Sequence, residues 1–452
     1  MKKLIGCILA LLFLSAYTGA LGETIVTYGG AFPDTNTGYQ NFLADHPDIT
    51  VTWSDTVYPS ASAFLSAMLT REFACDLFVQ GTNEANWSDM MQKGYCLDLS
   101  GSDVLQAAVK RMHPYIAAQA RYEGRLYAIP MRINFMYYQI NQETWSDAGL
   151  TVDDVPQSFP EFLDFLSQWC DHMEDGTEAD IGVLGGWDYE TYSASSYTAW
   201  LSNLLIDEVM MQEQYAGEPL SFNSPELIDL LERCASVGKR IYALEPRNCT
   251  SCLFEQTSYG VWPESGSNIV FLRLNQTQPR LMKATTYLWA VNASTLNPEK
   301  CIDLLEKVVT GTDSSDACDD LFLYQDTQPR VSPTYEADLA KWTAKKEETA
   351  KRLQDQTIDV DLKTTLQDDL KRYEAAVSNT EEHKWLVTPE QLLDYQSAAD
   401  RLYFPAPNIL EKTTDGLDTL QSLYQQFGNQ ELTATQMVQK LNRIAEMMQR
   451  EE

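Results

Sequence analysis

The stretch Tyr122–Trp145, YEGRLYAIPMRINFMYYQINQETW, constrains the fold of this chain more than any other. Glu123-Gly124 reads as a turn between two polar–apolar runs. Leu126–Ile129 reads as a short strand ending at Pro130, because proline has no N–H to give to a ladder. The chain then runs extended through Met131–Ile140 and breaks into helix at Asn141. An extended passage that leaves one strand region and enters another is what a hinge between two α/β lobes requires.

The sequence before this passage alternates strand and helix. Glu23–Thr27 is β-branched and ends at Tyr28-Gly29-Gly30-Ala31-Phe32, and helix Thr37–Ala44 follows. His46-Pro47-Asp48 makes a turn into strand Ile49–Trp53. Helix Ala61–Arg71, strand Leu77–Val79, the loop Gln80–Asn83 and helix Glu84–Lys93 complete the series. Such alternation predicts a parallel sheet with covered faces. After the passage, helix Ser158–Cys170 has Pro160 in its first turn. Strand Ile181–Leu184 ends at Gly185-Gly186-Trp187-Asp188-Tyr189, and helices Ser195–Leu205 and Pro225–Arg240 follow. Strand Ser258–Val261 ends at Trp262-Pro263-Glu264. Strand Thr286–Val291 leads to helix Pro298–Thr310, and helices Thr388–Leu402 and Leu432–Glu451 close the chain. Glu336–Glu382 is rich in Lys, Glu, Asp and Gln, with Leu353, Ile358, Leu362, Leu366, Leu370 and Tyr373 at mostly helical spacing. It reads as two exposed helices, a solvated hairpin.

The order of these elements resembles the extracellular solute-binding proteins of bacterial ABC importers, family 1, the maltodextrin type in particular. The resemblance is carried by Leu126-Tyr127-Ala128-Ile129-Pro130 followed by Tyr137-Tyr138-Gln139-Ile140-Asn141. It is carried also by the turn His46–Ile49, the strand Cys75–Val79, the run Lys93–Leu99, the segment Tyr287–Val309 and Gln328–Pro333. It implies a two-lobed periplasmic-binding-protein-like α/β fold, each lobe a mainly parallel sheet flanked by helices. The lobes would be joined by hinge crossings near Ile129–Ile133, Leu281–Thr285 and Gln328–Pro333. On this reading residues 1–22 are a signal peptide. Residues 23–130 plus 284–330 form the N-terminal lobe. Residues 131–283 plus 331–452 form the C-terminal lobe, with the charged helical insertion at 336–382.

In open parallel sheets, ligands bind beyond the carboxyl ends of strands. Four such ends are Tyr28–Phe32, Gln80–Glu84, Trp187–Tyr189 and Trp262–Glu264. Aromatic faces beside amides and carboxylates suit a sugar, whose C–H face stacks on a ring while its hydroxyls need fixed partners. The candidate ligand-binding residues are therefore Tyr28, Phe32, Gln80, Asn83, Glu84, Trp187, Asp188, Tyr189, Trp262 and Glu264. The resemblance adds Asn134, in the crossing. It also implies a stacking role for Trp262 and ligand contact from Gln80, Asn83 and Glu84. The segment Asn408–Glu411 lacks the aromatic that maltodextrin binders place there, which argues against a long malto-oligosaccharide.

The formal charge of −32 over 452 residues excludes a nucleic-acid partner, since no basic stripe could meet a phosphate backbone. Lys2, Lys3 and the apolar Leu4–Ala16 read as an export leader with cleavage after Gly22, so the mature chain is expected outside the cytoplasm. Leu4–Cys7 matches a lipoprotein box, but the apolar core follows Cys7, so lipid anchoring there is not expected. Eight of the nine cysteines follow the leader, an even number that permits disulfides. Cys75–Cys96, Cys301–Cys318 and the close pair Cys249/Cys252 are possible local bridges. The four histidines, His46, His113, His172 and His383, are scattered, so no metal and no cofactor is expected. The function expected is capture of a small solute, a sugar first, by a monomer that delivers it to the membrane subunits of an ABC importer. Alternatives are a binder of polyamine or another non-sugar solute, and an exported glycoside hydrolase using carboxylates such as Asp188 and Glu264. No catalytic residue is assigned.

Overall fold

The computed structural model describes residues 23–449 apart from 57, 59–60, 71, 73–74, 85, 175–180, 185–193, 245–250, 261, 264–267, 312–321, 355–359, 399–400 and 406–413. The expected export leader, with Cys7, lies outside the described residues.

Three strands open the chain: β1 (Glu23–Tyr28), β2 (Ile49–Trp53) and β3 (Leu77–Gly81). β1 pairs in parallel with both of the others, and helices Thr37–Asp45 and Ala61–Thr70 make the crossovers. The first helix starts where Asn36 accepts a hydrogen bond from the Tyr39 N–H at 3.0 Å, satisfying one of the donors a helix start leaves open. A short antiparallel pair, β4 (Arg121–Tyr122) and β5 (Arg125–Leu126), turns at Glu123-Gly124. Gly124 has φ +80°, the left-handed region that glycine adopts without strain.

The centre of the molecule is β6 (Ile129–Ile140), a strand of 12 residues. It passes through Pro130 instead of starting after it. Arg132 faces Tyr287 while Pro130 faces Leu288, so Met131 is an extra residue in the ladder. The bulge sets the proline where pairing is already interrupted, so its missing N–H is tolerated. The remaining strands are β7 (Ile181–Leu184), β8 (Ser251–Gly260), β9 (Ile269–Val270) and β10 (Met282–Val291). β11 (Arg330–Val331), β12 (Trp385–Val387) and β13 (Leu402–Tyr403) follow.

Nine strands form one sheet along the path β2-β1-β3-β10-β6-β8-β7, with β13 beside β10 and β9 beside β6. The expected parallel pairing is found among β2, β1 and β3 and between β7 and β8, but the centre is antiparallel: β10 against β3 and β6, and β6 against β8. The sheet is therefore mixed. The reason lies in connectivity, because β6 carries the chain away from the first core and β10 brings it back.

Two apolar cores flank this centre. One gathers Ile25, Phe42, Phe78, Leu288 and Leu305, the other Phe162, Leu166, Leu205, Leu231 and Met437. β6 joins them, with Ile129, Ile133 and Phe135 in the first core and Ile140 in the second. Helix Ala194–Ala216 is the spine of the second core. It buries Tyr197, Leu201 and Leu205 on one side and Trp200, Leu204 and Met211 on others, and a helix covered on several sides need not be amphipathic. Gln328–Pro333, expected as a crossing, has the first core on both sides: Phe322 and Leu323 before it, Val387, Leu392 and Tyr395 after it. The second core resumes at Leu420.

Helices Tyr335–Leu353 and Val360–Glu382 pack on each other, and Trp342 stacks on Tyr373 with ring centroids 6.1 Å apart. The β11–β12 pair closes their neck. Cys75 and Cys96 do not form the expected bridge; both are buried free thiols. Asn292 stands between them, its Nδ2 donating to the Cys75 carbonyl at 2.8 Å and its backbone bridging to Cys96. Cys301 is a buried free thiol too, and Cys318 and Cys249 lie outside the described residues. No described helix is long and apolar enough to cross a membrane, and the described residues contain no cluster of His, Cys, Asp and Glu that could hold a metal ion.

Candidate functional site

Alternate residues of a strand share a face. On one face of the central strands β6 presents Arg132, Asn134, Met136 and Tyr138, and β10 presents Tyr287, Thr285 and Lys283. The register places Asn134 opposite Thr285 and Met136 opposite Lys283. This run of polar groups crosses from the first core toward the second.

Asn134 is 1% exposed and Thr285 3%. The Arg132 Nε–H donates to Asn134 Oδ1 at 3.0 Å, which fixes the amide orientation and leaves Nδ2 without a partner. Thr285 Oγ1 is also buried and unpartnered. A desolvated polar group without a hydrogen bond costs about 1–3 kcal/mol, and here two stand at facing positions of neighbouring strands.

The loop after β3 adjoins the same place. Glu84 Oε2 accepts from the Gly81 N–H at 3.0 Å. A Cβ at Gly81 would stand 2.6 Å from Asn83 Oδ1 and 3.0 Å from Thr285 Cγ2. Only glycine lets this loop lie so close to β10. Asn83 and Glu84 are both exposed at the rim. The Arg132 guanidinium sits over the Tyr287 ring, 5.7 Å from its centroid.

At its other end the polar run opens into a cavity of about 230 Å³ lined by Met136, Tyr138, Asn203, Asp207, Glu208 and Lys283, among others. Helix Ala194–Ala216 supplies the acids. Lys283 is paired with Asp207. Glu208 is 6% exposed and accepts from Gln212 Nε2 at 2.7 Å. Burial lifts its carboxyl from 4.5 to about 7; the Gln212 bond and Lys283 pull it down less, and Asp207 adds to the rise. Burial likewise pushes the Tyr138 phenol up to about 12, the Trp200 N–H opposing and Asp207 assisting.

The sequence-derived candidates divide into groups. Asn83, Glu84 and Asn134 are brought together by Gly81 and Thr285. Gln80 lies in β3 opposite Leu288, whose side chain is on the other face of β10 from Thr285. Tyr28 is half-buried, stacked on Phe64 at 5.3 Å and edge-on to Tyr58 at 5.4 Å. Phe32 is buried and stacks on Trp289 at 4.3 Å. Trp262 is 2% exposed on the face opposite Asn134. Its ring meets Phe135 and Tyr395 edge-on at 5.3 and 5.2 Å, and its Nε1 donates to Asp394 at 2.9 Å. The ring also lines a second cavity beside Ile269, Phe271 and Met282. Trp187, Asp188, Tyr189 and Glu264 lie outside the described residues. Arg132, Thr285, Lys283, Asp207 and Glu208 were not singled out from sequence. The available signal was the polar spacing Lys283-x-Thr285-x-Tyr287 inside an otherwise apolar strand.

Comparison with known proteins fits this architecture. Residues 39–350 match the family model described as bacterial extracellular solute-binding protein. No curated protein matches the chain. Among solved structures, a chitin oligosaccharide binding protein is 13% identical, with a TM-score of 0.53 over 94% of this chain and 98% of its own. A protein described for xylan utilisation by the thermophilic bacterium Caldanaerobius polysaccharolyticus is 14% identical, with a TM-score of 0.52 over 95% of this chain and 99% of its own. The ABC substrate-binding protein Lmo0181 of Listeria monocytogenes, in complex with cycloalternan, is 12% identical, with a TM-score of 0.51 over 94% and 99%. At such identities these likenesses speak for the two-lobed fold alone. The family match spans most of the sequence, and the chain belongs to the bacterial extracellular solute-binding proteins.

Proposed function

We propose that the protein is the solute-capturing receptor of an ABC importer and that its solute is a sugar or oligosaccharide. The observation that carries this reading is the pair of buried, unpartnered polar atoms on Asn134 and Thr285, set on the strands that join the two cores. A donor and a hydroxyl, both neutral, fit the hydroxyls of an uncharged polyol. They fit a polyamine less well, because Asp207 is already paired with Lys283 and Glu84 accepts from Gly81. Arg132, Asn83 and Glu84 would supply further hydroxyl partners at the rim. The aromatic rings of Tyr287 and Tyr138 on the same face suit the C–H face of a sugar ring.

Several of the similar structures carry sugars in their descriptions: cycloalternan, raffinose and chitin oligosaccharide. That supports the solute class without naming the solute. In mechanism, solute held by β6 and β10 and by groups of both lobes favours the closed form by its differential affinity for it. The closed receptor is then the form that the importer's membrane subunits receive. The reading includes no turnover.

A thermal-shift screen of the mature protein against neutral oligosaccharides and against polyamines tests the proposal. A true ligand at 100 times its dissociation constant stabilises by about 2.7 kcal/mol. Stabilisation by at least one oligosaccharide and by no polyamine is expected. Stabilisation by polyamines alone, or cleavage products in the oligosaccharide samples, would overturn it.

A further inference from the structure

A second cavity, of about 280 Å³, lies on the opposite side of the central strands from Asn134. It adjoins the first cavity, since Ile269, Phe271 and Met282 line both, whereas Trp262, Arg280, Asp394 and Arg401 line only this one. Its apolar wall is Ile269, Phe271, Met282 and Trp262, and its polar groups are Arg280, Arg401 and Asp394.

Two guanidinium groups at one cavity are unusual in a chain with 65 acidic and only 33 basic residues. Among the described residues neither Arg280 nor Arg401 has an ion-pair or hydrogen-bond partner, although Arg111, Arg125, Arg233, Arg240 and Arg372 all have carboxylates. The acids nearby are committed elsewhere. Asp394 accepts from Trp262 Nε1, and Glu161 accepts from the Gln157 N–H at 2.8 Å and from Gln276 Nε2 at 2.6 Å. Arg273, beside them, spends its donors on the carbonyls of Gln157, Gln276 and Gln278. The Arg280 guanidinium rests over the Phe271 ring at 5.3 Å, a contact that orients its plane. Burial first, then Arg273 and Arg401, disfavour its charge, which Glu161 only partly restores. Two guanidinium charges thus face a single carboxylate, Asp394, among the described residues that line the cavity.

We infer that this cavity binds a small organic oxyanion, its carboxylate or phosphate held by Arg280 and Arg401 and its apolar body lying against Phe271 and Met282. Guanidinium groups meet such oxyanions through two parallel N–H bonds, and the two positive charges against one carboxylate leave the site with a net charge of one. The volume exceeds that of the head group alone, which gives the apolar wall its use. Arg280 and Arg401 line this cavity and not the first, so their substitution tests the oxyanion site apart from the proposed solute site.

The test is calorimetric titration of the mature protein with benzoate, phenyl phosphate and inorganic phosphate, at ionic strength matched with sodium chloride. Benzoate or phenyl phosphate is expected to bind more tightly than inorganic phosphate, and the better of the two identifies the head group. Arg280→Gln and Arg401→Gln should each weaken that binding at least tenfold while leaving oligosaccharide binding unchanged. Asp394→Asn, which keeps an acceptor for Trp262 and removes the opposing charge, should tighten it. This variant carries the test if an arginine variant does not fold. Binding no tighter than inorganic phosphate, binding that survives both arginine substitutions, or no gain in Asp394→Asn would overturn the inference.

Discussion

Asn134 of β6 and Thr285 of β10 face each other across an antiparallel pair, and each keeps a buried polar atom without a partner. Stability alone would have favoured apolar residues at both positions. In the proposed function these two groups are the ones that a captured solute would satisfy. Asn134→Ala is expected to weaken solute binding by about 1–3 kcal/mol, because a bonded buried amide is lost. The same substitution should leave the melting temperature of the unliganded protein unchanged or raise it, since the unpartnered Nδ2 is removed. Calorimetry and thermal melts on the one variant check both halves.

Glu208 makes stability depend on pH. Its carboxyl titrates near 7 in the folded protein and near 4.5 when exposed, so the folded state holds a proton that the unfolded state releases. That contribution is complete below pH 4.5 and is lost as pH rises toward and through 7, an effect on the order of 3 kcal/mol. Glu208→Gln keeps the shape and remains neutral. It should therefore raise stability relative to the parent at pH 8 and make little difference at pH 4.5, as measured by urea unfolding at the two pH values.

In the proposed function Trp262 contributes packing and not solute contact. Its indole is buried among Phe135 and Tyr395 and donates to Asp394. Trp262→Ala is expected to destabilise by about 3–5 kcal/mol. Oligosaccharide affinity measured well below the lowered melting temperature should stay within twofold of the parent. A large loss of affinity without loss of stability would instead give Trp262 a direct contact.

The elements legible from sequence were those with strong local periodicity. Strand Ile49–Trp53, strand Ile181–Leu184 and helix Pro298–Thr310 have the expected bounds. Failures concentrate near the site. β10 was expected from Thr286 but starts at Met282, because Lys283 and Thr285 interrupt the apolar run. Those are the residues that face the polar strip, and local rules fail where side chains serve a site. β8 was expected only at Ser258–Val261, yet it begins at Ser251, where Cys249 and Cys252 drew the reading toward a bridged loop. Helix Ala194–Ala216 was expected to stop at Leu205, since its buried residues lie on several sides and leave no broad polar face by which to follow it. Asn134 was reached through resemblance. Thr285 could not be, because its role arises from a pairing between distant parts of the chain.

The hairpin of Tyr335–Leu353 and Val360–Glu382 packs on itself, with Trp342 and Tyr373 at its centre, and β11–β12 closes its base. Replacing residues 336–382 by a short Gly/Ser turn should leave oligosaccharide affinity unchanged and lower the melting temperature by only a few degrees. Thermal-shift titration of the shortened protein checks both.

Small-angle X-ray scattering of the mature protein, alone and saturated with the oligosaccharide that gives the largest thermal shift, tests the capture mechanism most directly. Closure of the lobes over solute predicts a smaller radius of gyration in the saturated sample, and Asn134→Ala at the same sugar concentration should show a smaller decrease. An unchanged radius at proven saturation would contradict the account.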